Sequence, residues 1–177
     1  MEQLLQGILD YSRPTSKNPE KVDLREVVKN VLDTLSGRPE RGKIEFILEQ
    51  KSPGSDLFID PGHIRQVMIN LLHNACEACQ REGRVLVRIG HRGGLRTIEV
   101  TDDGEGIEAE ALDHLFEPFY TTKISGTGLG LAITKALVET NDGRIEVTSE
   151  KHQGTTFRLF FPLEREEGGR QEQEKQA

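Results

Sequence analysis

The run GTGLGL at residues 126–131 constrains the fold of this chain more than any other segment. Three glycines at alternate positions allow a tight backbone turn whose N–H groups can approach a polyphosphate. The residues at 129–140 predict a helix whose positive end points at the same place. Glycine-rich turns are common, so this run predicts a nucleotide site only together with other motifs. Three of them accompany it in the chain: NLLHNA at 70–75, DDGEGI at 102–107 and GTTF at 154–157.

Composition excludes several classes of protein. The chain has 177 residues, enough for one domain with an appendage, and a net charge of −7. That charge opposes binding to a phosphate backbone, so we expect no nucleic-acid partner. No apolar run approaches the ~20 residues of a membrane span, so we expect no direct membrane contact by this domain. Cys76 and Cys79 give no disulfide framework, which suits a cytoplasmic domain, and their CxxC pair lies within a predicted helix without a second pair, which is poor for zinc.

Hydrophobic periodicity divides the chain into three parts. Residues 1–20 predict a short N-terminal helix fragment followed by a linker, because four apolar residues share one helical face before Pro14. This fragment either continues a longer helix or packs as a simple arm on its own domain. Residues 21–163 carry the main domain. Residues 164–177 predict a polar tail without its own core.

Within the main domain, helices and strands are mixed and most strands occur in hairpins. We expect helices beginning at Asp23, at Asp60 (ending near Arg81), near Glu108 and at Leu129. Predicted strands lie at 43–50, 57–60, 85–89, 97–100, 145–149 and 156–161. This pattern favours an α+β fold, with helices packed on one face of a mixed, mostly antiparallel sheet. It argues against a doubly wound dinucleotide fold, and no Walker-type GxxxxGK[ST] sequence is present.

Two asparagines mark the first candidate site. Asn70 and Asn74 are four residues apart on one predicted helix, so their amides project side by side. Amide oxygens are hard ligands, and Mg²⁺ takes few protein oxygens when it also binds phosphates. A pair of structural, helix-bridging amides explains the same spacing equally well.

The other candidate residues lie in loops. Asp102 follows a strand and precedes two glycines, so its carboxylate can accept from the amino group of a flat ring such as adenine. An ordinary turn, in which Asp102 bonds its own backbone, is the alternative. Phe116 and Phe119 are expected to pack the base of the following loop. Lys123 either neutralises a terminal phosphate or remains a solvated surface lysine.

Together these motifs resemble the catalytic, ATP-binding domain of bacterial sensor histidine kinases, within the superfamily of gyrase, Hsp90 and MutL. The similar segments are 63–78 (asparagine box), 102–107 (first glycine box), 115–123 (phenylalanine box), 126–133 (second glycine box) and 154–157. The resemblance spans residues 22–163. It implies a two-layer α/β sandwich of the Bergerat type, which holds ATP under a lid at about 108–127. Residues 1–20 resemble the end of the dimerisation helix and its linker.

The resemblance also implies roles for individual residues. Asn70 and Asn74 hold Mg²⁺, and both act in catalysis with Lys123. Asp102 reads the adenine amino group, with Thr155 or Thr156 nearby. The implied nucleotide-contacting set is Asn74, Glu77, Ala78, Asp102, Gly104, Gly106, Ile107, Phe119, Tyr120, Thr121, Thr122, Lys123, Gly126, Thr127, Gly128, Leu129, Gly130, Leu131, Thr155 and Thr156.

Three departures from the family pattern refine the expected function. Asn70 replaces the glutamate that activates water in the hydrolysing relatives, and an amide is no general base, so phosphoryl transfer is favoured over hydrolysis. None of the five histidines precedes an acidic residue, so the acceptor histidine is expected outside this chain. Glu77 stands where some relatives have a phosphate-binding lysine, and Lys123 is expected to take over that role.

We therefore expect a protein-histidine kinase domain of a two-component system. Its expected partners are the upstream dimerisation domain, through which it forms a homodimer, and a response regulator receiver domain. Membrane anchoring of the whole sensor stays open. The alternatives are an ATPase of the same superfamily that drives a conformational clamp, and a nucleotide-sensing scaffold without transfer activity.

Overall fold

The computed structural model describes residues 17–36, 43–80, 82–123 and 126–163. The predicted helix at the N-terminus and the predicted polar tail lie outside the described residues. The elements, in chain order, are β1 (Glu20–Asp23), α1 (Leu24–Ser36), β2 (Lys43–Gln50), β3 (Asp56–Ile59), α2 (Pro61–Ala78), β4 (Glu82–Arg92), β5 (Leu95–Asp102), α3 (Ala109–Leu112), α4 (Gly130–Thr140), β6 (Arg144–Glu150) and β7 (Gly154–Pro162).

Five of the strands form a mixed sheet in the order β2-β4-β5-β7-β6. Strand β2 runs parallel to β4, and the other neighbours are antiparallel. The turn between β4 and β5 is Gly93-Gly94, with φ angles of 56° and 77°, which suit a two-residue hairpin loop. The predicted α+β fold with a mostly antiparallel sheet is confirmed.

The two faces of the sheet differ in chemistry because side chains alternate along each strand. On the inner face, apolar residues such as Val87, Ile98 and Leu159 are fully buried beneath the helices. On the outer face, charged residues pair across strands, as in Glu99 with Arg158 at 3.0 Å. Burying one face and solvating the other fixes the register, since a one-residue slip would bring charge into the core.

Helix α2 is central to the helical layer. Its apolar stripe, including Ile64, Met68 and Leu71, is completely buried, and the helix packs against α1, α4 and the sheet. Asp60 caps its N-terminus as predicted, because the Asp60 Oδ1 accepts from the N–H groups of Gly62 (2.8 Å) and His63 (3.0 Å).

The C-terminus of α2 differs from the sequence prediction. The helix ends at Ala78 rather than near Arg81, because Gln80 adopts a left-handed backbone with φ of 57°. Ala78, which was expected to face the core, is only half-buried. Cys79 is buried, and burial raises the pKa of its thiol to about 12, so it carries no reactive thiolate at neutral pH.

A small second sheet was not fully predicted. Strand β1 pairs antiparallel with β3, and β1 was missed because it is only four residues long beside a polar stretch. Next to it, the backbone N–H of Asn18 donates to Asp60 Oδ2 at 2.8 Å. This contact ties the entry of the chain to the cap of α2. Within the described part of the chain, each helix is too short or too polar to cross a membrane.

Candidate functional site

A cavity opens on the helix-covered side of the sheet, between α2, α4 and the neighbouring ends of β5 and β7. Its volume is ≈ 860 Å³, within the range of small-molecule and cofactor sites. The segment between β5 and α4 supplies much of its wall. The lining is mixed, with apolar surface from residues such as Leu115 and Phe157 and polar groups from α2 and the loops.

The two asparagines of α2 both line the cavity but have different partners. Asn70 Nδ2 donates to the carbonyl of Gly130 at 3.0 Å, and Asn70 Oδ1 accepts from Gln66 Nε2 at 2.9 Å. Asn70 therefore joins α2 to the first turn of α4. Asn74 Oδ1 lies 3.5 Å from the ammonium of Lys123. Its amide oxygen faces a positive group, as a ligand for a hard cation should.

Asp102 lies at the opposite side of the cavity, at the end of β5, and is only 4% exposed. Its Oδ1 accepts from the N–H of Gly104 at 3.0 Å. Burial raises the pKa of Asp102 to about 6, although hydrogen bonds from the backbone of Gly104 and Thr155 oppose the rise. At neutral pH the carboxylate is thus ionised and presents a desolvated acceptor to the cavity.

The segment between β5 and α4 brings a lysine back onto α2. Lys123 Nζ forms an ion pair with Glu77 Oε2, while Glu77 Oε1 lies 3.3 Å from His73 Nδ1. Tyr120 is tied within the segment, since its N–H donates to the carbonyl of Glu117 at 3.2 Å. Of the predicted helix near 108–115, only the single turn α3 is present.

Two glycines in the cavity wall have conformations and contacts that other residues do not tolerate. Gly106 has a φ of 66°, and a Cβ there would lie 2.1 Å from the carbonyl oxygen of Glu150. Gly128 has a φ of 67°, and a Cβ there would lie 2.4 Å from the carbonyl carbon of Phe119. These positions require glycine because the left-handed backbone and the close approach both exclude a side chain.

Most of the predicted site residues line this one cavity. They are Asn70, Asn74, Glu77, Ala78, Asp102, Gly106, Ile107, Tyr120, Thr121, Thr122, Lys123, Gly126, Thr127, Gly128, Gly130, Leu131 and Thr155.

Four predicted residues do not contribute to the cavity wall. Phe119, expected to pack the base of the loop, is instead 65% exposed, because its φ of 68° turns the side chain outward. Leu129 is buried behind the glycine loop. Thr156 Oγ1 lies 3.0 Å from Thr101 Oγ1 on the outer face, whereas Thr155 faces the cavity. Gly104 packs against the backbone of Ala78.

Sequence reasoning missed several lining residues, namely Ile69, His73, Glu105, Glu108, Ala111, Leu115, Lys151 and Phe157. Ile69 and His73 adjoin the two asparagines on α2, so helical periodicity was a usable signal for them. Lys151 lies in the turn between β6 and β7 and pairs with Glu108 at 3.5 Å. No local pattern marks Lys151, because strand pairing alone brings that turn to the cavity.

Comparison with known proteins identifies this arrangement. The family model described as "Histidine kinase-, DNA gyrase B-, and HSP90-like ATPase" matches residues 59–165. Sensor histidine kinase ZraS of Escherichia coli K12 is 33% identical over 92% of this chain. Sensor protein kinase PilS of Pseudomonas aeruginosa is 33% identical over 91% of this chain. The chain spans only 35% and 31% of those two relatives, respectively.

Solved structures agree with the sequence relatives. The catalytic domain of histidine kinase ThkA has a TM-score of 0.75 and 27% identity, covering 82% of this chain and 96% of that domain. ThkA in complex with the response regulator protein TrrA gives a TM-score of 0.79 and 25% identity, covering 92% of this chain and 47% of that one. The chain therefore belongs to the family of histidine kinase-, DNA gyrase B- and HSP90-like ATPases.

Proposed function

We propose that this domain binds Mg·ATP and transfers the γ-phosphoryl group to a histidine on a dimerisation helix. One observation carries the proposal: a single cavity has the Asp102 carboxylate at one side and the Asn74 amide with the Lys123 ammonium at the other. A carboxylate suits the amino group of adenine. An amide oxygen and an ammonium suit a metal-bound phosphate chain.

The donor set fits a magnesium ion. Asn74 Oδ1 is a hard oxygen that already faces a cation, the Lys123 ammonium at 3.5 Å. We propose Asn74 as the direct protein ligand. Asn70 Oδ1 also accepts from Gln66 Nε2, so Asn70 would hold the ion less directly than Asn74. When bound, the ion neutralises phosphate charge and orients the γ-phosphoryl group.

Other residues that line the cavity have proposed roles in binding adenine and the phosphates. Asp102, with Thr155 beside it, reads the adenine amino group, and the glycine loop around Gly128 presents backbone N–H groups to the phosphates. Lys123 reaches the terminal phosphate as the lid closes. Catalysis then consists chiefly of positioning and charge neutralisation, as is usual for phosphoryl transfer.

The cavity favours transfer over hydrolysis. Asn70 cannot accept a proton at neutral pH. Without a base at this position, a nucleophile that needs no deprotonation, such as a neutral imidazole nitrogen, is favoured over water.

The wider assignments extend the proposal beyond the cavity. We propose residues 1–20 as the end of a dimerisation helix with its linker, 21–163 as the catalytic domain and 164–177 as a polar tail. The domain acts in the cytoplasm on a homodimer formed through that helix. A response regulator receives the phosphoryl group, and the complex of the similar kinase ThkA with its response regulator supports this partner.

The test is phosphotransfer to an added acceptor. The chain is mixed with the dimerisation domain of its own protein and γ-labelled ATP, and acid-labile phosphohistidine is measured. We expect label on the acceptor with the wild-type chain and none with Asn74→Ala. Binding of Mg·ATP without any labelled acceptor contradicts the transfer activity. Rapid phosphate release by the chain alone indicates a hydrolase instead.

A further inference from the structure

The ammonium of Lys123 lies beside the amide oxygen that we assign to the proposed metal. Lys123 Nζ lies 3.5 Å from Asn74 Oδ1 and forms an ion pair with Glu77, one turn further along α2. The other carboxylate oxygen of Glu77, Oε1, lies 3.3 Å from His73 Nδ1, so both oxygens of Glu77 have a partner. The ammonium of Lys123 is therefore the positive charge next to the amide oxygen of Asn74, which we assign to magnesium.

We propose that Lys123 is a tethered cation that holds the metal position on Asn74 until nucleotide arrives, and that Glu77 is the residue positioning it there. This inference rests on the proposed function, because it takes Asn74 as the metal ligand. Glu77 acts through Lys123 and is a positioning residue, not a catalytic one.

Electrostatics gives this arrangement a direct consequence. Two cations within about 4 Å of each other repel, so the ammonium and the metal cannot share Asn74 Oδ1. Binding of Mg·ATP therefore separates Lys123 from both Asn74 and Glu77. The released ammonium finds a new anionic partner in the terminal phosphate.

The size of the effect follows from exposure. The side chains of Lys123 and Glu77 are 37% and 42% exposed, so their pair is a partly solvated one. Such pairs change an equilibrium constant by about 1.5- to 5-fold. Glu77 should lower the affinity for Mg·ATP by this factor, because the pair must break before the ligand is fully bound.

A double-mutant cycle measures the contact. Mg·ATP dissociation constants are determined by calorimetry for the wild type, Glu77→Gln, Lys123→Met and the double variant. The gain in affinity from Glu77→Gln is then compared between the two lysine backgrounds. If binding breaks the pair, the gain is larger with Lys123 present, by about 1.5- to 5-fold.

The opposite result overturns the inference. If Lys123 stays on Glu77 after binding, the pair cancels between the free and bound states. The unpaired Glu77 of Lys123→Met then repels the phosphates, so Glu77→Gln gains more affinity in that background. Equal gains in both backgrounds likewise contradict a contact that breaks on binding.

A matched control separates the specific contact from the general loss of charge. Glu108 lines the same cavity and pairs with Lys151 at 3.5 Å, so Glu108→Gln removes the same charge from its wall. The cycle of Glu108→Gln with Lys123→Met should show no coupling.

Thermal unfolding checks that every variant is folded. A wild type that fails to bind Mg·ATP refutes the proposed function, whereas a wild type that binds with the wrong sign of coupling refutes only this inference.

Discussion

Replacing Asp102 with asparagine should stabilise the ligand-free domain while weakening nucleotide binding. Asp102 is 4% exposed, and burial raises the pKa of its carboxyl from 3.8 to about 6. The folded protein therefore carries an ionised group at pH 7 that it would hold more easily in the neutral form. Asparagine keeps the size of the side chain and an acceptor oxygen for the N–H of Gly104.

The magnitude follows from linkage. A rise in pKa from 3.8 to about 6 corresponds to about 3 kcal/mol, which Asp102 subtracts from the free energy of unfolding at pH 7. Because the pKa is higher in the folded state, the destabilising contribution of Asp102 disappears as the pH falls through about 6 towards 4. Asp102→Asn should raise the free energy of unfolding at pH 7 by up to about 3 kcal/mol. It should also remove the pH-dependent contribution of this side chain to stability.

Nucleotide binding should change in the other direction. The amino group of adenine donates a hydrogen bond, and the variant places an amide N–H₂ donor beside the single remaining oxygen. Leaving a buried donor without a good acceptor costs about 1–3 kcal/mol, so we expect a loss in affinity of about 5- to 150-fold. In the wild type, affinity should also fall below about pH 6, since the protonated carboxyl loses acceptor capacity.

The assays are urea unfolding of the ligand-free domain between pH 4 and 8 and calorimetry with Mg·ATP over the same range. ATP titrates in this range itself, so only the difference between the two proteins is interpreted. Asp103→Asn is the matched control, because it removes a neighbouring but exposed carboxylate; since the charge of Asp103 contributes to the raised pKa of Asp102, this variant should change stability in the same direction but by less. A variant that is less stable at pH 7 and binds Mg·ATP unchanged would refute the reasoning.

Three further predictions concern the cavity wall. Asn74→Ala should abolish the increase in ATP affinity that Mg²⁺ provides over EDTA in calorimetry, and an unchanged increase would exclude Asn74 as the ligand. Gly106→Ala should lower the free energy of unfolding in urea by about 1–3 kcal/mol, because Gly106 has a φ of 66° and a Cβ there would contact a carbonyl. A Cβ at Gly130 would meet open space, so Gly130→Ala should leave the free energy of unfolding unchanged or raise it. Thr155→Ala should weaken nucleotide binding and Thr156→Ala should not, since Thr156 bonds Thr101 on the outer face; equal effects of the two would contradict this placement.

Local patterns in the sequence were sufficient for most of the fold. Strand β2 was predicted with its bounds from alternating side chains, and α4 was predicted to within one residue from the glycines before it and the turn after it. The start of α2 followed from Asp60-Pro61, a cap and a first-turn proline. Such signals work because they depend on neighbours within one turn or one hairpin.

Errors arose where distant contacts override local preference. The end of α2 was placed too late, because the left-handed backbone of Gln80 leaves no local pattern in a polar sequence. Phe119 was expected inside, yet its backbone is held by a hydrogen bond from its N–H to the carbonyl of Gly128 at 3.0 Å. Its outward direction is set by that contact, not by its hydrophobicity.

The sequence by itself determined the fold class, the order of the motifs and the residue types of the site, because hydrophobic period, caps and glycines are encoded over a few neighbouring positions. Tertiary structure alone decided which groups meet. It placed Thr155 rather than Thr156 in the cavity wall, bonded Asn70 to α4 and paired Lys123 with Glu77. These outcomes depend on strand register and on the approach of segments far apart in the chain, which no local pattern encodes.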